Sequence, residues 1–347
     1  MLDRFQLPSW LRATRPAPGA GRRLYLHIGM NKAGSSAIQR TLSAREKTLR
    51  AAGLLYPRTG RSASQAHHLF SHVLGFSQGK PPSVRSRSQL ENLGPKLLAE
   101  ADRRGCNTAI VSSEVFTNRG DIRLVREFFA GWDVRVVVYL RRHDHWWASC
   151  YSQGVRMTSN PPWPLGFDGY IAWQRARRHK GDYRKLLDDW ADVFGAANLL
   201  VRPYEREQNQ PSIVADLLSV MAFPGLAQDV GAEVAGFNVS PGERELALVD
   251  AIQHSGLSHA SRKRLITAIC ARPGQVRGAG FISPAERLRM VEENLDDYAY
   301  IARTYMGRAD GELFREPLPD PSAPWTAPPP ASHRDIIEAL AAVAGWT

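Results

Sequence analysis

The sequence predicts an α/β protein built as a three-layer, doubly wound parallel sheet. Val134 to Leu140 is a near-continuous apolar run, as expected of a parallel strand covered on both faces. Leu24 to Ile28 is a second run of strand formers; Gly29 and Gly34 punctuate the turn after it. Ile38, Leu42 and Leu49 then recur at helical spacing. Strand, glycine-punctuated loop and helix together aim backbone N–H groups and a helix N-terminus at one point, which suits phosphate.

The remaining elements follow in order. Residues 1–21, with Pro8, Pro16 and Pro18, read as a loose arm. The first helix runs from Ser35 to about Ala52 and stops at Gly53; Leu54 to Tyr56 forms a brief strand before Pro57. Arg58 to Ser88 is polar and irregular, with a short helix after the His67-His68 pair. Leu90 to Arg104 is helical, Thr108 to Ser113 a strand ending at Glu114, and Ile122 to Gly131 a helix. After Leu140, Asp144 is the expected N-cap of the next helix. Pro161 to Gly169 reads as a loop, the apolar stripe Leu186 to Phe194 as a helix, and Asn198 to Glu205 as a strand with its exit. Pro211 is expected at the first position of a helix reaching Met221. Ser240-Pro-Gly-Glu243 and Ser283-Pro-Ala-Glu286 both read as capping boxes, the second opening a helix to about Tyr305. A Pro-rich segment, Glu316 to Ser332, precedes a short terminal helix from about His333 to Ala344. The expected division is arm 1–21, α/β domain 22–314, and Pro-rich tail 315–347.

At 347 residues the chain can bury a sizeable core. Its 43% hydrophobic and 23% charged content places it outside the disordered class. The formal net charge of +11 favours anionic partners: nucleotides, nucleic acid, acidic glycans or lipid head groups. Cys106, Cys150 and Cys270 are too few and too scattered for a disulfide framework or a C-x-x-C metal pair. No apolar run is long enough to span a bilayer, and the N-terminus lacks a signal-peptide core, so a cytoplasmic protein is expected.

In the loop itself the residue order matters. A Walker A loop places lysine after its second glycine; here Lys32 precedes Ala33 and Gly34, and Ser35-Ser36 follow. That order resembles the loop of sulfotransferases that use phosphoadenosine phosphosulfate (PAPS). A second motif of that family is an arginine at a strand end with a serine eight residues later, and Arg141 and Ser149 have this spacing. The stretch Asp182 to Glu207 is similar to a pattern of bacterial sulfotransferase-like proteins, with Tyr204-Glu205 after a strand. The resemblance spans roughly Arg22 to Phe314.

The resemblance implies a P-loop-like fold and transfer of a sulfuryl group from PAPS to a hydroxyl or amine. It assigns Lys32 to the bridging oxygen, and Ala33, Gly34, Ser35 and Ser36 to the 5′-phosphate. Arg141 and Ser149 fall to the 3′-phosphate and Tyr204 to the adenine. Glu114, His67 and His68 are the candidates for the general base, and no metal is expected. The R-K-G-x-x-G clamp of the small-molecule branch is missing, Arg272-Pro273-Gly274 being a faint echo. This favours a carbohydrate-type bacterial branch, with a glycan, lipid head group or small metabolite as acceptor. Two rivals stand beside it: an ATP-dependent P-loop kinase, and a non-catalytic binder of anionic polymer. The first lacks a convincing Walker B aspartate. The second lacks an interleaved basic-aromatic strand motif, which argues against nucleic acid.

Overall fold

Val136 to Leu140 have no exposed surface, because the strand they form lies inside a sheet covered on both sides. The computed structural model describes residues 21–76, 84–176, 181–230, 241–271, 280–327 and 332–344. Its five strands are β1 (Arg23–His27), β2 (Leu54–Leu55), β3 (Thr108–Ser112), β4 (Asp133–Leu140) and β5 (Leu199–Pro203). They pair in the order β2-β3-β1-β4-β5, all parallel. Helices flank the sheet, as the apolar strands require. Leu24 and Leu26 on β1 are fully buried, each contributing about 1.5–3 kcal/mol of apolar burial.

From β1 the chain winds first to β2 and β3, then crosses back to β4 and on to β5. The winding therefore reverses between neighbouring strands β1 and β4. In open parallel sheets the crevice at such a reversal, beyond the carboxyl ends of the strands, is where ligands bind. The register pairs His27 with Ser112 of β3 and with Val137 of β4.

Contacts gather the described residues into two compact units. The first draws its described residues from 21–141, 183–230 and 296–315; the second draws them from 142–182, 241–295 and 316–344. In the first, the helix after β1 breaks at Arg45 into Ser35–Ala44 and Glu46–Ala51. Helix Ile213–Val220 packs against Ser35–Ala44, and Tyr25 of β1 donates to the Met221 carbonyl at 2.8 Å. Pro211 does not open that helix: Ser212 is its N-cap, accepting from the Ala215 N–H. A serine side chain can satisfy a first-turn N–H, which a proline ring cannot. Tyr139 on β4 donates to Asp216 at 2.6 Å, and Arg202 on β5 binds the same carboxylate. This triad ties two strands to helix Ile213–Val220.

The second unit is mostly helical. Its first helix, His143–Met157, has Arg142 at the N-cap, without side-chain capping. Asp144 therefore does not cap it. The Asp144 carboxylate is buried and held instead by Arg142 (2.9 and 3.0 Å) and Arg287 (2.7 Å). Charge-assisted pairs of this kind outcompete a neutral N–H. Burial pushes the Asp144 carboxyl up, but its bond to Arg142 and the nearby charges of His145, Arg142 and Arg287 outweigh that and hold it near 2. Arg142 also donates to the carbonyls of Glu316 (3.0 Å) and Pro317 (2.8 Å), and His145 lies 2.9 Å from the Glu316 carboxylate.

The Pro161–Gly169 loop is shorter than expected, helix Phe167–Ala176 starting inside it. Ser283 caps helix Pro284–Glu292 by accepting from the Glu286 N–H, while the Glu286 carboxylate is held by Arg289; a second helix, Leu295–Met306, follows rather than one continuous rod. Helix His333–Ala344 ends the described chain. The arm 1–20, Ser240 and Arg272-Pro273-Gly274 lie outside the described residues. Cys106 and Cys150 are buried and Cys270 exposed, all three as free thiols. Among the described residues no helix is long and apolar enough to cross a membrane.

Replacing Asp216 with alanine would strand the Tyr139 hydroxyl and the Arg202 guanidinium. The expected cost is about 2–4 kcal/mol, read as a lower urea midpoint.

Candidate functional site

The loop between β1 and helix Ser35–Ala44 is shaped by backbone positions with no room for side chains. Gly29 has φ 65°, and a Cβ there would lie 2.8 Å from Glu114 Cβ and 3.0 Å from Ser35 Oγ. Gly34 has φ 80°, and a Cβ there would run into Ile213 and the Tyr204 ring. Lys32 itself adopts φ 66°, a left-handed conformation uncommon for a lysine. Ala33 is buried and its N–H donates to the Met30 carbonyl at 3.2 Å. Ser35 is buried and donates its hydroxyl to the same carbonyl at 3.1 Å; Ser36, one residue on, is exposed. Gly34 serves as N-cap with no side-chain cap. The first N–H groups of a helix have no acceptor within it, so this end presents donors.

Arg141 comes immediately after β4 and is half-buried. Its guanidinium donates to the Lys32 carbonyl at 2.9 Å, joining the ends of the two strands that flank the reversal. It also lies 5.4 Å from the centre of the Tyr204 ring, within cation–π range. Tyr204 leaves β5 and donates its N–H to Leu140 at 2.6 Å, while the Tyr183 hydroxyl holds the Arg141 carbonyl at 2.7 Å. Three residues chosen from separate stretches, Lys32, Arg141 and Tyr204, thus stand together at the carboxyl ends of β1, β4 and β5. Ser149 lies on helix His143–Met157 of the second unit.

Glu114 starts a short 3-10 turn after β3 and sits against Gly29. One of its oxygens accepts from Gln39 at 2.9 Å, and the other lies 3.8 Å from His68 Nε2. His68 Nδ1 is 2.9 Å from the Ser113 hydroxyl. His67, its neighbour in sequence, has a different environment. It is fully buried, accepts from the Ser112 N–H at 3.1 Å, and is 2.8 Å from the Pro57 carbonyl. Both ring nitrogens are engaged, the arrangement of a neutral structural histidine.

Two residues that the motifs did not single out complete this cluster. Gln39 is buried and its amide nitrogen reaches both Ser112 Oγ (3.2 Å) and Glu114. His27, at the end of β1, places Nδ1 2.7 Å from Ser112 Oγ. Its Nε2 is buried and has no hydrogen-bond partner among the described residues. A polar residue on the apolar face carrying Ile38 and Leu42 was the available signal for Gln39. Among the described residues, no group of three or more His, Cys, Asp or Glu is placed to hold a metal.

No protein-family model matches the chain. An uncharacterized protein of Archaeoglobus fulgidus is 30% identical over 117 residues. That match covers 33% of this chain and 30% of the relative, so the chain spans under a third of that protein's length. Among solved structures, a sulfotransferase from Alicyclobacillus acidocaldarius is similar over 71% of this chain and 96% of its own. The identity there is 18% and the TM-score 0.39.

Burial pushes His27, His67 and His143 down to about 4 from an ordinary 6.5. Between those values the unfolded chain binds more protons than the folded one, so stability is full above about pH 6.5 and falls as pH drops toward 4. Urea midpoints should follow that course. His67→Gln, which keeps a donor and an acceptor, should flatten part of it. A second expectation concerns the loop: Gly34→Ala should lower the thermal midpoint, the backbone strain alone costing about 1–3 kcal/mol.

Proposed function

We propose that this protein is a PAPS-dependent sulfotransferase whose cosubstrate lies at the reversal between β1 and β4. The observation that carries the reading is the Arg141–Lys32 contact. It gathers a lysine, a guanidinium and the open N-terminus of a helix at the crevice where a doubly wound sheet binds ligands. A donor set of this kind, positive and rich in N–H groups, suits a nucleotide with phosphates at two positions. The Tyr204 ring beside Arg141 offers a face for a base.

In this reading PAPS supplies the sulfuryl group, and the protein supplies position and charge. Lys32 offsets the negative charge that grows on the departing phosphate. Gly34 and Ser35 contribute backbone N–H groups, and the exposed Ser36 adds its hydroxyl. Arg141, a permanent cation already fixed by the Lys32 carbonyl, holds the 3′-phosphate. As the acceptor oxygen or nitrogen bonds to sulfur, its proton passes to Glu114, with His68 adjoining that carboxylate. The proposal gives His67 no part in this step, since its nitrogens engage the Pro57 carbonyl and the Ser112 N–H. The acceptor is proposed to be a carbohydrate or glycolipid.

Thermal melts with phosphoadenosine phosphate, the desulfated cosubstrate, test the reading against ATP with magnesium. At roughly 100 times its dissociation constant the ligand should stabilise the fold by about 2.7 kcal/mol. Arg141→Ala should abolish the shift. A shift with ATP and magnesium alone would point to phosphoryl transfer instead. Glu114→Gln should keep the melt shift and lose turnover with any acceptor that wild-type protein sulfates.

A further inference from the structure

Behind Glu114 runs a chain of buried hydroxyls that ends on a histidine ring. His68 opens helix His68–Val73, Ser71 lies one turn on, and both meet Ser113, the residue after β3. Ser71 and Ser113 are fully buried. The Ser71 hydroxyl stands 2.9 Å from the His68 carbonyl and 3.0 Å from Ser113 Oγ, which in turn stands 2.9 Å from His68 Nδ1.

Each serine has one hydroxyl hydrogen to give, and that fixes every direction in the chain. A carbonyl only accepts, so Ser71 donates to His68. The contact between the two hydroxyls then takes its hydrogen from Ser113. Ser113 has none left for the ring, so the contact with Nδ1 is an N–H donated by the histidine. Neutral His68 is thereby held as the Nδ1–H tautomer, with a lone pair on Nε2. The opposite assignment would set the Ser71 and His68 oxygens 2.9 Å apart with no hydrogen between them.

The opposite side of the ring is consistent with this. Nε2 faces Glu114 Oε1 at 3.8 Å, beyond hydrogen-bond reach. An Nε2–H beside a carboxylate would close that gap in a charge-assisted bond, whereas two acceptors stay apart. Gln39 holds the other oxygen, Oε2, at 2.9 Å, so Oε1 is the one turned to His68. His72 stacks on the imidazole with ring centres 5.9 Å apart. Both His68 and Glu114 keep part of their surface exposed.

We propose that Ser71 and Ser113 are positioning residues that keep His68 Nε2 free to draw the proton from Glu114, a role that rests on the sulfuryl-transfer reading. As the acceptor oxygen bonds to sulfur, the sulfur–oxygen bond to the 5′-phosphate breaks, and its electron pair leaves with phosphoadenosine phosphate. The acceptor proton goes to Glu114 Oε1 and from there to Nε2, giving an imidazolium whose Nδ1–H stays on Ser113. The partly exposed ring returns the proton to water, and the carboxylate is again a base. Without the serine chain, the charge on Glu114 would draw the hydrogen to Nε2, and the ring could accept nothing from that side.

Magnetic resonance of the full chain with isotope-labelled histidine ring nitrogens reads the tautomer without any acceptor, and His68→Gln identifies the His68 signals. At about pH 8.5, roughly two units above the ordinary histidine value, wild-type protein should show Nδ1–H. Ser113→Ala and Ser71→Ala should each show Nε2–H. Turnover is read as phosphoadenosine phosphate released from PAPS with water as the acceptor. Ser113→Ala should lower kcat at least about tenfold and leave the KM for PAPS unchanged. Ser71→Ala carries the same two readouts where Ser113→Ala disturbs folding. Nε2–H in the wild type, Nδ1–H kept in both alanine variants, or wild-type kcat in Ser113→Ala would each overturn the proposal. A wild-type melt shift with phosphoadenosine phosphate beside full turnover in Ser113→Ala removes the proton route alone; no wild-type shift removes the transfer reading as well.

Discussion

A guanidinium that donates to a backbone carbonyl fixes a loop without giving up its charge, and Arg141 does this to the loop that carries Lys32. Strands β1 and β4 are adjacent, but their exits lead to opposite edges of the sheet, and nothing in the strand ladder itself ties those exits together. A bond from Arg141 to the Lys32 carbonyl does so. It is backed on one side by Tyr183 on the Arg141 carbonyl and on the other by the Tyr204 ring. Gly29 and Gly34 let the loop pass close enough for this contact, since a Cβ at either would meet Glu114 or Tyr204. Preorganisation of that kind is what a site for a multiply charged ligand needs, because the cost of ordering cations is met during folding.

The sheet was the most legible part of the sequence. Val134 to Leu140 could only be a strand buried on both faces, and the structure exposes none of Val136 to Leu140. Strand order was not legible, because periodicity says nothing about which strand lies beside which. Local capping was read less well. Asp144 has the right residue type and place for an N-cap, yet its carboxylate is claimed by Arg287, 143 residues away. The expected rods broke at Arg45 and near Asn294, where helical residues alone gave no warning.

The site divides along the same line. The positions of Lys32, Arg141 and Tyr204 were legible because each follows a strand that could be recognised by itself. Gln39 was not, since its meaning depends on Glu114, 75 residues later, folding back to meet it. His67 and His68 look equivalent on paper. The helix begins at His68, so one ring turns into the core against Pro57 and Ser112 while its neighbour reaches Ser113 and Glu114.

The Arg142 cluster has a consequence for how the chain would behave once cut. Arg315 is exposed and precedes Glu316, so the bond between them suits trypsin. The released fragment would still present the Glu316 carboxylate and the Glu316 and Pro317 carbonyls to Arg142, and Trp325 to Gly280. A nicked molecule would therefore travel as one particle on a native column and separate into two bands only under denaturing conditions.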